Sequence, residues 1–117
     1  MLSKSNLAAL RQCPRRLWLE HHAAHAAEPG NATTWRRARD GAIVGQKARE
    51  LFGQTVLWPR AEATAEESVR AARDLLAANP TSPGVEVPLL RDHLFARADA
   101  LIPAPGGYVL QETKSST

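Results

Sequence analysis

The chain has 117 residues, enough for one domain, and 44% of them are apolar, enough to build a core. Only three Trp, two Phe and one Tyr are present, so we expect alanine-rich packing. A single cysteine excludes an internal disulfide and a cysteine-only metal site. No apolar run is long enough to span a bilayer, and Met1–Ser5 lacks the hydrophobic stretch of a signal peptide. We therefore expect no membrane partner and a cytoplasmic location.

Charge is distributed unevenly along the chain. Residues 1–60 hold ten Lys or Arg against four Asp or Glu, whereas residues 61–117 hold five against eight. A basic half beside an acidic half suits a polyanionic substrate together with a metal ion. The alternative is that most of these charges are simply solvated, in a chain whose composition reflects a GC-rich genome.

The sequence pattern over the first 52 residues predicts three helices. Ser3 or Ser5 can cap a short first helix, and Pro14 suits the first turn of a second helix over about Pro14–Ala27. Apolar residues at helical spacing predict a third helix over about Trp35–Phe52.

Two glycines stand inside this third helix. Gly41 and Gly45 weaken it unless close packing or a ligand uses the space that they leave. After it, Thr55–Trp58 predicts a short extended segment, and a capping box at Thr64–Glu67 opens a fourth helix that ends at about Ala78.

Three strands follow, at about Val85–Leu90, 94–102 and 107–114, with a turn at Pro103–Gly107. Helices followed by a three-stranded antiparallel meander predict an α+β fold. We expect a single domain with a helical part (1–54), a connecting segment that contains a helix (55–84) and the strands (85–117).

The last two strands bring charged side chains together. A turn centred at Pro105–Gly106 places Asp99 opposite Glu112, and Arg97 opposite Lys114 on the same face. Two carboxylates directly opposite one another destabilise a hairpin, so we expect a compensating positive charge. A divalent cation held by oxygen atoms is the simplest candidate, and with a lysine on the same face it suits phosphodiester hydrolysis.

These residues resemble a known pattern. Asp99, followed across a hairpin by Glu112–Lys114, resembles the signature of PD-(D/E)XK nucleases. Leu2–Ser5 and Cys13–Leu19 resemble the N-terminus of RecB-like nucleases, which include CRISPR-associated exonucleases and uncharacterised bacterial proteins. Three more segments resemble the strand before the catalytic hairpin and the two catalytic strands: Val85–Leu89, Arg97–Leu101 and Gln111–Thr117. The resemblance runs nearly end to end, although the region of the helix at 64–79 is only loosely matched.

The resemblance implies a fold, a function and a set of site residues. It implies the front part of a restriction-endonuclease-like core and a metal-dependent nuclease that cleaves DNA with Mg²⁺ or Mn²⁺, in repair, recombination or defence. Asp99 and Glu112 would bind the metal and serve in catalysis. Thr113 would offer its backbone carbonyl group to the metal, and Lys114 would be catalytic. Glu86 matches an acidic position that supports or joins the metal site.

Three features depart from the family's pattern. Many RecB-like nucleases have a metal-binding histidine near the position of Val44–Gln46, where this chain has none. Some hold an iron–sulfur cluster through four cysteines, but only Cys13 is present here, so we expect no cluster. The family also continues past the lysine with a helix and further strands. We therefore expect an N-terminal fragment, or a second copy that completes the sheet.

Basic residues outside the hairpin are candidates for binding DNA. Arg15, Arg16 and Arg97 are expected to contact the phosphate backbone. The alternative for the first two is solvent exposure, with Arg16 paired to Glu20 one helical turn away.

Other residue types have simple structural interpretations. Cys13 is expected as a small buried hydrophobe or a helix-boundary residue. His21 and His25 have a metal-binding spacing, but no third ligand is evident, and a solvated helix face is favoured. Core or helix packing is favoured over base stacking for the three tryptophans, which are Trp18, Trp35 and Trp58.

Two alternatives to a nuclease stay open. In the first, the chain is an incomplete module, derived from a nuclease, that binds nucleic acid without cleaving it. In the other it is an unrelated α+β domain in which Asp99, Glu112 and Glu86 lie on a solvated sheet face.

Overall fold

Helices precede a β-meander in the computed structural model, which describes residues 1–53 and 56–114 and confirms the predicted α+β class. The helices are α1 (Lys4–Gln12), α2 (Pro14–His22), α3 (Ala32–Glu50) and α4 (Ala65–Ala78). The strands are β1 (Leu2–Ser3), β2 (Gly84–Arg91), β3 (Leu94–Ala104) and β4 (Gly107–Gln111).

The first two helices begin where the sequence predicts. The Ser3 hydroxyl accepts the backbone N–H of Asn6 at 3.1 Å, and the Asn6 side chain accepts the N–H of Ser3 at 2.9 Å. Pro14 begins α2, where its missing N–H costs no helical hydrogen bond. The prediction that α2 extends to Ala27 is wrong, because α2 ends at His22 and a short 3₁₀ turn follows at Ala24–Ala26.

Side-chain caps also fix the starts of α3 and α4. The Asn31 side chain accepts the N–H of Thr34 at 2.9 Å, so α3 begins three residues before the predicted Trp35. The capping box of Thr64 and Glu67 is confirmed, with both of its hydrogen bonds at 3.1 Å.

Every strand of the sheet pairs with β3. Antiparallel β2 covers one edge of β3, and the other edge is shared by β1 and β4. The antiparallel meander β2–β3–β4 is confirmed. The parallel strand β1, which places Leu2 opposite Leu94, was not predicted, because two residues are too few to show an alternating pattern. Of the predicted segment Thr55–Trp58, Thr55 lies outside the described residues and Leu57 forms an isolated bridge to Gly84.

Helix α4 packs against the sheet through small side chains. The buried cluster consists of Ala72, Leu76, Val87 and Ala98, with Leu57 and Leu101 partly buried beside it. This arrangement confirms the expected alanine-rich packing. Gly84 has no space for a side chain beside this cluster, because a Cβ atom there would lie 2.9 Å from Val87 Cγ2 and 3.0 Å from Leu76 Cδ2.

Large apolar side chains lie outside this core. Core or helix packing was predicted for the tryptophans, and the core part is wrong: the exposed fractions are 58% for Trp18, 68% for Trp35 and 55% for Trp58. The helices that carry the first two have no buried residue, so no core is available to them. None of the helices in the described parts of the chain is long and apolar enough to cross a membrane.

The contact at Gly84 yields a stability test. We expect Gly84→Ala to lower the free energy of unfolding by about 1–3 kcal/mol, because the added methyl overpacks the contact with Leu76 and Val87. Gly107→Ala is the control, since its Cβ meets no atom within 4 Å, and should change stability by no more than about 0.5 kcal/mol. Urea denaturation measures both, and equal midpoints for the two variants would contradict the packing described.

Candidate active site

The hairpin of β3 and β4 has the predicted register as far as it extends. Its ladder runs from Ala104–Gly107 to Ala100–Gln111, so Asp99 and Glu112 would form the next pair. The ladder ends there instead, because the backbone N–H of Thr113 donates to Asp99 Oδ2 at 2.7 Å. The prediction that the last strand reaches Lys114 is therefore wrong, and the pair of Arg97 with Lys114 does not form.

Two lysines neutralise the Glu112 carboxylate. Lys4 Nζ donates to both of its oxygens, at 2.9 and 2.8 Å, and Lys114 Nζ donates to Oε2 at 2.9 Å. The compensating charge that the hairpin was expected to need is thus supplied by side chains in the structure. Asp99 is stabilised separately, through the Thr113 N–H.

These contacts shift two titrations in opposite directions. Hydrogen bonds from Lys4 and then Lys114 lower the pKa of Glu112, against a smaller desolvation penalty. The hydrogen bond to Glu112 raises the pKa of Lys114, and the charge of nearby Asp99 adds a smaller attraction. Lys114 therefore lies close enough to two of the predicted site residues, Glu112 and Asp99, to be attracted by both of their charges.

Glu86 brings a third carboxylate to the same level of the sheet. Its neighbours pair in register, Val85 with Ala100 and Val87 with Ala98, so Glu86 stands opposite Asp99 without a ladder pair of its own. Its φ of 52° lies in the left-handed region, which is strained for a residue with a Cβ atom. Such strain is concentrated at functional sites.

A cavity of about 340 Å³ separates these acidic residues from α3. Its sheet side carries Glu86, Asp99 and Thr113, and its helix side carries small residues that include Gly41 and Gly45. A Cβ atom on Gly41 would meet nothing within 4 Å, and one on Gly45 would meet only the end of the Arg49 side chain. The glycines therefore leave open space at the cavity and do not serve close packing.

Carboxylate and carbonyl oxygens are the ligands that hard divalent cations prefer, and the residues at this cavity offer atoms of these types. Asp99, Glu86 and Thr113 line the cavity, whereas Glu112 does not. Within residues 1–53 and 56–114, no three His, Cys, Asp or Glu side chains are grouped closely enough to hold a metal ion. The structure thus brings two carboxylates, Glu86 and Asp99, to the cavity, while Glu112 is held by Lys4 and Lys114.

The three arginines predicted to bind DNA lie in different places. Arg97 lines a second cavity, which shares Trp58 and Glu86 with the first. Arg15 and Arg16 line a separate cavity on α2, and Arg16 Nε pairs with Glu20 at 2.8 Å as the alternative interpretation predicts. The structure therefore brings only Arg97 close to the acidic cavity.

Two basic residues at the site have no signal in the sequence. Lys4 reaches Glu112, which lies 108 positions later in the chain, because the short strand β1 just before Lys4 pairs with β3. Arg49 Nη1 donates to Glu86 Oε1 at 3.3 Å, and its guanidinium lies 4.6 Å from the centre of the Trp58 ring. Both contacts join segments that are distant in sequence, so local patterns do not reveal them.

The remaining candidates do not form a site. Cys13 stands at the boundary of α1 and α2, as expected, but it is exposed and not buried. His21 belongs to α2 and His25 to the 3₁₀ turn, so the helical spacing between them is lost.

Comparison of the chain with protein-family models, with curated proteins and with solved structures found no match. The assignment of a function therefore rests on the residues and their geometry.

The lysine contacts predict a change in the titration of Glu112. Lys4→Met should raise the pKa of Glu112 toward its ordinary value, because the strongest of its hydrogen-bond donors is removed while Lys114 remains. NMR titration of the Glu112 side-chain carboxyl measures this shift. Since the folded-state pKa is depressed, the pair stabilises the fold above the unfolded-state pKa, and this contribution disappears as the pH falls through the folded-state pKa.

Lys47→Met is the matched control for this titration. Lys47 pairs with Glu50 on α3 at 3.2 Å and does not contact Glu112. An identical Glu112 pKa in the Lys4→Met and Lys47→Met proteins would show that the Lys4 contact does not exist in solution.

Proposed function

We propose that this chain is a metal-dependent nuclease domain of the RecB-like PD-(D/E)XK type, which hydrolyses phosphodiester bonds in DNA. The observation that carries the proposal is the juxtaposition of Asp99, Glu112 and Lys114 at the open end of the β3–β4 hairpin, beside the acidic cavity. The resemblance of the sequence to that superfamily assigns roles to the same three residues.

In this proposal, Asp99, Glu86 and the Thr113 carbonyl group would hold Mg²⁺ or Mn²⁺, and Glu112 would be a further ligand if its side chain turned away from Lys4 and Lys114. When bound, the metal ion would polarise a phosphoryl oxygen and lower the pKa of a water molecule bound to it. Glu112 and Lys4 pair near the surface, with 32% and 60% of their side chains exposed. Exposed ion pairs contribute little net stability, so a divalent cation competes readily with this pair.

Lys114 provides the positive charge that is proposed to act on the phosphate. Its pKa is raised, so its ammonium group stays protonated through the neutral range. A protonated lysine can hold a phosphate oxygen and stabilise the negative charge that develops on phosphorus-bound oxygens. Arg97, on the same strand as Asp99, extends this positive surface toward the DNA backbone.

A second candidate function is binding of nucleic acid without cleavage. One observation favours it: the Glu112 carboxylate is held by Lys4 and Lys114 and does not line the cavity with Asp99. If that arrangement persists when divalent cations are present, the metal lacks a ligand, and the domain retains only its affinity for the phosphate backbone.

Several expectations from the sequence stay predictions. These are the cytoplasmic location, the division of one domain at residues 1–54, 55–84 and 85–117, and the pairing of a further strand with β4. That strand would come from a second copy or from an additional part of the chain.

A cleavage assay tests the proposed function. We expect the protein to degrade DNA in Mg²⁺ or Mn²⁺ and not in EDTA. Asp99→Asn and Lys114→Met should each lower the rate on the order of 100-fold or more, because each removes a group that holds the metal or stabilises the transition-state charge. Time courses with labelled single-stranded and double-stranded DNA measure the rates.

Glu50→Gln is the control in this assay, since Glu50 contacts Gln46 and Lys47 on α3 and not the acidic cavity. Its rate should equal that of the unchanged protein. Cleavage that is undiminished in both Asp99→Asn and Lys114→Met would overturn the catalytic assignment. Binding of DNA without cleavage in any divalent cation would support the second candidate.

A further inference from the structure

Trp58 is an exposed aromatic side chain at the junction of two cavities. It lines the acidic cavity and also a neighbouring cavity of about 530 Å³. More than half of its surface is open, and the guanidinium of Arg49 lies against its ring. The indole ring is thus held by a cation–π contact but is not packed into the core. Its exposed surface is available to a ligand.

The neighbouring cavity is basic where the first is acidic. Arg60 and Arg97 line it together with Trp58, and its one acidic residue, Glu86, is already paired with Arg49. Among residues 1–53 and 56–114, neither Arg60 nor Arg97 takes part in an ion pair. The volume falls in the range of about 300–1,000 Å³ that is typical of ligand pockets.

An exposed ring beside two arginines matches the chemistry of an unpaired nucleotide. Single-stranded nucleic acid is bound through bases that stack on aromatic side chains and through phosphates that contact basic ones. In a duplex the base faces are covered by their neighbours, so a stacking side chain gains little from it.

We infer that Trp58, Arg60 and Arg97 form a binding subsite for single-stranded DNA, in which an unpaired base stacks on Trp58 and the adjoining phosphates contact the two arginines. This inference rests on the proposed function and sharpens it, because the shared Trp58 and Glu86 connect the subsite to the acidic cavity. The substrate of the nuclease is then a single strand, or a duplex end that has opened.

Binding in EDTA tests the subsite apart from cleavage. The probe is a fluorescein-labelled oligothymidylate of about 12 nucleotides, within the site sizes known for single-stranded DNA-binding folds. We expect Trp58→Ala to weaken binding by about 5- to 150-fold, the loss of one stacked base, and Trp58→Phe to weaken it less. Trp35→Ala is the control, because Trp35 is also exposed but lies outside both cavities.

A second measurement covers the case in which Trp58→Ala does not fold. In the Trp18→Phe, Trp35→Phe protein, Trp58 is the one remaining tryptophan, and stacking of a thymine should quench its fluorescence. Quenching by the oligothymidylate and weaker quenching by a duplex of equal length would support the inference. Unchanged fluorescence, equal affinity of Trp58→Ala and Trp35→Ala, or equal affinity for duplex would overturn it.

The two proposals fail separately. If the protein binds the oligothymidylate through Trp58 in EDTA but never cleaves DNA with Mg²⁺ or Mn²⁺, the subsite is supported and the nuclease activity is not. If cleavage depends on Asp99 while Trp58→Ala binds and cleaves like the unchanged protein, the activity is supported and the subsite is wrong.

Discussion

Strand β3 is the element on which both the sheet and the site depend. It hydrogen-bonds to β2 along one edge and to β1 and β4 along the other, so it is the one strand of the described sheet with neighbours on both sides. Ala98 and Ala100 are buried, which leaves Asp99 between two residues whose positions are tightly constrained. The Asp99 carboxylate is thereby held where it can bind the Thr113 N–H, and that bond places Glu112 and Lys114.

Three carboxylates lie side by side on adjacent strands or just after them, and each has a different group that offsets its negative charge. Asp99 receives a backbone N–H, Glu112 two ammonium groups and Glu86 a guanidinium. The interactions of Glu112 and Glu86 leave room for exchange, because their partners are long side chains at the surface or at a cavity. A polyanion and its cation could rearrange these partners without disturbing the hydrophobic core, which lies on the α4 side of the sheet.

Local patterns in the sequence predict the fold well and the site in part. The capping box at Thr64, the Pro14 helix start and the β3–β4 register all depend on neighbouring residues, and all three are confirmed. What the sequence could not predict depends on tertiary contact: Lys4 on Glu112, Arg49 on Trp58, and the side-chain hydrogen bond that ends β4 early. The proposed function was suggested by residue identity, whereas the contacts of each residue came only from the fold.

The charged residues that follow β4 bear on whether the protein aggregates at high concentration. All five residues of Gly107–Gln111 are exposed and none is charged, and the edge that they present has no described strand beside it. Such edges pair readily with other chains unless charged residues act as gatekeepers. Glu112 and Lys114 are the first charged residues after the strand, so we expect them to serve that purpose whatever the function of the chain. Substitutions that neutralise them would therefore promote aggregation even where the fold is intact.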